Sequence, residues 1–369
     1  MTLTPPTGVI IGERIAMARN DAGLSQGQLA MDLGVDRTAV AKMESGARKV
    51  SASELVRLAT ALDRPIDWFV TESPPAVVSR REDRSASGES RLLDRRVEGL
   101  ARDVDFLRIA GVLRHLEVRH LSMPQTFDEA EAAAAQAREW IGVQHGPLLD
   151  LQKYCEALGL LGFSLDLGAG GGDAAYVDAG GWGVALVNGA VDPGRRRFNL
   201  AHELGHHLFA DAYAPEVTIC VGAEPERMIN AFAAHFLMPR LGVQETWDTQ
   251  AGLRLAVLSV AVRFRTSWSA VCSQLRNLGI IQEADRATLV DDPPTAADFI
   301  ELGERWVSEL DAPSVPPDYG RHILAAYRNG KLTSARTAEL LWGTVREEEL
   351  PARSEIPLEG LRRELDPLP

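Results

Sequence analysis

Residues 195–211 read RRRFNLAHELGHHLFAD, and how this stretch is read decides the fold of the second half of the chain. A helix turns about 100° per residue, so residues four apart lie about 40° apart on one face. With His202 at zero, His206 falls at about 40° and Glu203 at about 100°, a single polar sector. Leu200, Ala201, Leu204 and Leu208 fall between about 160° and 260°. The spacing predicts a helix over 196–210 with one face for a core and the other for a ligand. Two imidazoles at this spacing can point at one Zn²⁺, and the intervening glutamate can hold the zinc-bound water. Zinc lowers that water's pKa to about 7, so a carboxylate can take its proton near neutral pH. His202 and His206 are therefore the expected metal ligands and Glu203 the expected general base.

A third ligand must come from elsewhere. A metzincin-type extension needs Gly at 209 and His or Asp at 212, and Phe209 and Ala212 exclude it. In EPERMINAFAAHFLMP (224–239), Glu226 and Asn230 are four apart on a second expected helix, 224–238. Glu226 is the expected third ligand. Asn230 is expected to accept the outer N–H of a ligand histidine and fix its tautomer. Glu224 and Asp211 are weaker alternatives for the ligand. His235 lies nine residues beyond Glu226, roughly opposite on the wheel, and so away from the same ion. His207 projects about 40° from Glu203 and can orient that carboxylate, although a hydrogen-bonded flanking histidine is the preferred reading. Arg195, Arg196 and Arg197 read either as a rim for an acidic substrate or as a solvated or carboxylate-paired helix start; the second is preferred.

RRRFNLAHELGHHLF together with ERMINAFAAHFLMP resembles the ImmA/IrrE family of zinc metallopeptidases, over residues 145–285. The resemblance takes in the glycine-rich sheet before the motif and FAAHFLMP after it. A glutamate or another residue often stands at the position of His235 in that family, a departure that touches no expected ligand. The resemblance implies a gluzincin-like fold, zinc as cofactor, and regulated cleavage of a repressor protein, often one with a helix-turn-helix.

The first seventy residues point elsewhere. In ERIAMARNDAGLSQGQLAMDLGVDRTAVAKMESGARKVSASELVRLATALDRPIDWFV, Ser25 is an N-cap, Gly34 a break, Asp36 the cap of a short helix that Gly46 closes, and Ser53 the cap of a helix through Leu62. Two short helices joined by a glycine-containing turn let the second enter a major groove while the first braces the backbone. This segment resembles the lambda-repressor-like helix-turn-helix domain of the xenobiotic-response-element family. By that resemblance Arg37, Thr38, Ala41 and Lys42 face the bases of double-stranded DNA. Gln26 lies near a phosphate at the groove edge, and Arg48 and Lys49 are placed to reach phosphates. One such domain per chain implies a homodimer or weak binding.

The rest of the chain sets the organisation. The 369 residues allow two or three domains. The net charge of −13 argues against an evenly basic nucleic-acid coat but not against one local surface. Cys155, Cys220 and Cys272 form no CxxC pair and read as buried thiols. No basic-then-apolar start and no membrane-length apolar run are present, so a cytoplasmic protein with no membrane partner is expected. The expected fold is multidomain and mainly α with a small antiparallel sheet. It comprises a helix-turn-helix bundle at 8–71, a linker at 72–91, a helical connector at 92–144, the zinc metallopeptidase-like domain at 145–285 and a helical region at 286–369. The sheet is read from LGFSLDL (161–167), AAYVD (174–178) and GVALVN (183–188), with GAGGGD (168–173) as a hairpin loop. Three functions are compatible with this: a zinc endopeptidase cutting a partner regulator or itself in the linker, a regulator whose zinc fold senses a ligand, or an interaction protein with structural zinc. Three ligands and a spare carboxylate favour the first.

Overall fold

The computed structural model describes residues 8–62, 64, 66–70, 79–81, 90–114, 116, 119–209, 223–305 and 307–353. Most of the expected linker, together with Asp211, Ala212 and Cys220, lies outside these described residues. Two compact units divide the chain at 74/75.

Among the described residues the first unit has five helices: α1 (Gly8–Asp21), α2 (Gln26–Leu33), α3 (Arg37–Glu44), α4 (Ala52–Ala61) and α5 (Ile66–Val70). Short helices such as these depend on their ends. Ser25 and Gln28 form a capping box at the start of α2, Gly34 ends it in the left-handed conformation at φ 64°, and Asp36 accepts from Ala39 N–H to open α3. The cap of α4 is Ser51, not Ser53, because Ser51 stands three residues before Glu54 and the two complete a capping box. Each such cap is worth about 1 kcal/mol. Ile15, Leu29, Leu33, Val40, Met43, Leu58 and Phe69 form the core.

The second unit is built on a four-stranded sheet of β1 (Ser79–Arg81), β2 (Leu160–Leu165), β3 (Ala174–Asp178) and β4 (Gly183–Asn188), in the order β1-β3-β4-β2. β3 and β4 form an antiparallel hairpin and β1 joins β3 antiparallel, but β2 runs parallel to β4. The sheet expected to be antiparallel is therefore mixed. Residues 168–173 are likewise not a hairpin loop: they carry the chain from β2 past β4 to β3. The physical reason is burial on both faces. All six residues of β4 and five of six in β2 are buried, and such apolar runs carry no sign of strand direction.

Helices cover both faces. Leu160, Tyr176, Ala185 and Val187 share a core with α7 (Phe127–Trp140), α8 (Leu151–Ala157), α9 (Pro193–Leu208), α10 (Ala223–Leu237), α12 (Leu253–Phe264) and α13 (Trp268–Asn277). Phe163, Val177, Val184 and Leu186 face α6 (Ser90–Ile109), α16 (Pro317–Arg328) and α17 (Ser334–Leu340). α11 (Arg240–Thr246), α14 (Glu283–Asp291) and α15 (Ala296–Leu302) complete the helices, with a 3₁₀ turn at Glu347–Glu349. Residues 317–340 thus cover one face of the sheet, and Ser164 and Ser314 add a backbone bridge. Cys155 and Cys272 are buried thiols. Among the described residues no single helix is long and apolar enough to cross a membrane.

Candidate metal centre

α9 begins at Pro193, capped by Asp192, three residues ahead of the expected start. Proline suits this first position because its missing N–H would have no helical partner there. From Asn199 to Leu208 every residue of α9 is buried. The expected division into a core face and an open ligand face is corrected accordingly: α10 packs over the polar side. Glycines permit this closeness. A Cβ at Gly205 would lie 2.9 Å from Ile229 Cγ2 and 3.2 Å from Phe232 Cδ1 on α10, and one at Gly183 of β4 would lie 2.5 Å from His207 Nδ1.

The close crossing brings His202, His206 and Glu226 together. The two Nε2 atoms are 3.1 Å apart. Glu226 straddles them, with Oε2 at 3.3 Å from His202 Nε2 and Oε1 at 3.5 Å from His206 Nε2. For a tetrahedral ion with bonds of about 2.0–2.1 Å, neighbouring donors stand about 3.3 Å apart. The donor spacings fit that figure, and neutral imidazoles with a carboxylate are the donor chemistry zinc takes. Asn230 fixes one imidazole. Its Nδ2 donates to the Glu226 carbonyl at 2.8 Å, leaving Oδ1 to accept from His202 Nδ1 at 3.2 Å. With the proton on Nδ1, the His202 Nε2 lone pair faces the cluster. Of the alternatives, Glu224 is on the surface, paired with Arg227; Asp211 is outside the described residues.

Glu203 is fully buried on α9 between the two histidines. Burial, then the charges of Asp178 and Glu203, hold the Tyr176 phenol well above its ordinary value, which places Glu203 within electrostatic reach of β3. His207 shares a hydrogen bond with that phenol, Nδ1 to Oη 3.1 Å. Burial, then the charge of His120, pushes His207 down to about 3, so the ring is neutral. It is the hydrogen-bonded flanking histidine. His235 is directed elsewhere, 3.2 Å from Gln274 Nε2 and 3.9 Å from Glu131. The three arginines pair with carboxylates: Arg195 with Asp173, Arg196 with Asp311 and Arg197 with Glu309. Arg196 and Arg197 are buried rather than solvated. Sequence reading missed Tyr176, for which no local signal existed, and Gly205, whose role needs the position of α10.

In the first unit Arg37, Thr38 and Lys42 are exposed and Ala41 half-buried on α3, while Val40 and Met43 of the same helix are buried. Lys49 is exposed just beyond. Gln26 Nε2 donates to Glu44 Oε2 at 2.8 Å, and Arg48 pairs with Glu54 at 2.6 Å. Both side chains are held by α3 and α4 carboxylates in the protein alone.

Comparison with known proteins agrees with this division. The helix-turn-helix family matches residues 15–69, and the family described as the IrrE N-terminal-like domain matches residues 155–276. An uncharacterized HTH-type transcriptional regulator of Sinorhizobium medicae (strain WSM419) is 32% identical over 69 residues, 19% of this chain and 50% of that protein. An uncharacterized transcriptional regulator in the ATPase CF(0) region of Rhodospirillum rubrum is 37% identical over 62 residues, 17% of this chain and 57% of that protein. The chain thus spans about half the length of the curated relatives it matches. The restriction-modification controller protein C.AhdI from Aeromonas hydrophila is 40% identical over 17% of this chain and 94% of its own, with a TM-score of 0.17. The chain therefore carries a helix-turn-helix domain at residues 15–69 and an IrrE N-terminal-like domain, of the M78 peptidase family, at residues 155–276.

Proposed function

We propose that this protein is a DNA-binding transcriptional regulator whose second unit is a zinc-dependent endopeptidase, cutting a peptide bond in a partner regulator or in its own chain. The observation that carries the reading is the set of three donors at zinc-like spacings with a buried carboxylate, Glu203, on the same helix. His202, His206 and Glu226 would hold the metal. When bound, zinc supplies Lewis acidity and brings the pKa of a water down to about 7. Glu203 takes the proton from the attacking water on its carboxylate and passes it to the leaving amine. Asn230 keeps the His202 proton on Nδ1, so the ring serves only as a donor at Nε2. A structural zinc closes all four positions with protein donors and has no use for a buried base beside it. The exposed side of α3, with Arg37, Thr38, Ala41 and Lys42, is the surface for double-stranded DNA.

The test compares wild type and Glu203→Gln on a peptide mixture read by mass spectrometry, with zinc measured in both. The expected result is equal zinc and cleavage by the wild type alone. Undiminished cleavage by the variant removes Glu203 as the base, and a zinc-loaded wild type that cuts nothing contradicts the peptidase reading.

A further inference from the structure

A cavity of about 1070 Å³, just above the roughly 300–1,000 Å³ usual for ligand clefts, reaches the donor cluster's edge at Asn230, the residue bonded to His202. It runs along α10 past Ala231 and Ala234. Phe127, Phe198, Trp268 and Phe299 form its walls. Phe127 is 52% exposed, so this is an open trough rather than a closed chamber. Trp268 is locked in place by its indole N–H, which donates to the Leu289 carbonyl at 2.5 Å. The charged groups that line the trough are already matched. Asp192 caps α9 through the N–H groups of Gly194 and Arg195, Arg195 pairs with Asp173, and Arg227 pairs with Glu224. A charged occupant would find no unmatched charge among these three, whereas a bulky uncharged one would cover aromatic surface now facing water.

We infer that this trough is the specificity subsite for the substrate, and that its occupant is an extended segment of a second protein presenting a large apolar, preferably aromatic, side chain beside the bond to be cut. The inference rests on the peptidase reading. The trough reaches the donor cluster through Asn230, so a chain that lodges one residue between Trp268 and Phe198 runs on toward the cluster. Ala234 is the position at which added bulk closes the trough, and Phe299 supplies a wall from α15.

The test measures fluorescence anisotropy of two labelled peptides, identical except for a central Phe or Ser, on zinc-loaded full-length Glu203→Gln, with cleavage by the wild type read separately. The Phe peptide is expected to bind about tenfold or more tightly, as burial of one such side chain implies. Ala234→Phe should abolish that preference and Phe299→Ala reduce it, both with zinc retained. Equal binding of the two peptides overturns the subsite, even if the wild type cleaves both. A Phe preference that survives both substitutions also overturns it. A preference lost in the variants, without any cleavage by the wild type, supports the trough as a binding site while contradicting the peptidase reading.

Discussion

Gly205 stands between the two histidines at the α9–α10 crossing, where replacing it sets two effects against each other. In a helix interior, Gly→Ala alone stabilises by about 1 kcal/mol. Here the new methyl would meet Ile229 Cγ2 at 2.9 Å and Phe232 Cδ1 at 3.2 Å, and both partners are fully buried. Overpacking of that kind costs about 1–3 kcal/mol. Gly205→Ala should therefore range from neutral to about 2 kcal/mol less stable, and Gly205→Val, with two more methyls, should lose about 3 kcal/mol or more. The crossing also sets the metal site. Ile229 lies next to Asn230 and three residues from Glu226, so pushing α10 away widens the donor triangle, and zinc affinity should fall at least about tenfold. Urea unfolding of the full chain, followed by tryptophan fluorescence, reads the stability; six of the seven tryptophans lie beyond residue 75. Competition with a chromophoric chelator reads the affinity. A Gly205→Ala protein about 1 kcal/mol more stable, with unchanged zinc affinity, would refute the claim that this contact sets the site.

Three other outcomes are expected. At Gly27, on α2, an added Cβ meets only Ser25 Oγ at 3.9 Å, so Gly27→Ala should stabilise the first unit by up to about 1 kcal/mol; a lower melting temperature reported by Trp68 would contradict this. Asn230→Ala should weaken zinc binding by about 10–100-fold, and an unchanged affinity would separate Asn230 from the metal. Arg37→Ala combined with Lys42→Ala should weaken binding to a duplex selected from a random pool, whereas an unaltered mobility shift would remove α3 as the reading helix.

What the sequence disclosed was local. His202, Glu203 and His206 are tied by helical spacing, and Glu226 and Asn230 by the same spacing on α10, so each half of the site was legible without knowledge of the other. The caps Ser25 and Asp36 were legible for the same reason, since a cap acts within three residues. The misplaced cap at Ser53 shows the limit: two serines compete, and the Glu54 partner decides. Longer-range features were hidden. β2 and β4 are buried on both faces, so neither strand direction nor the crossing of residues 168–173 left a pattern. The role of residues 317–340 depends on Tyr319, Ile323 and Leu340 meeting the sheet, which no window of sequence reveals. Gly205 looks like a weak helix residue until Ile229 is placed beside it.

The central claim is a metal held by His202, His206 and Glu226, and native mass spectrometry tests it most directly. Protein purified without chelator should carry one zinc per chain, lost in both His202→Ala and Glu226→Ala. Metal-free wild type, or zinc retained in full by both variants, would contradict the account.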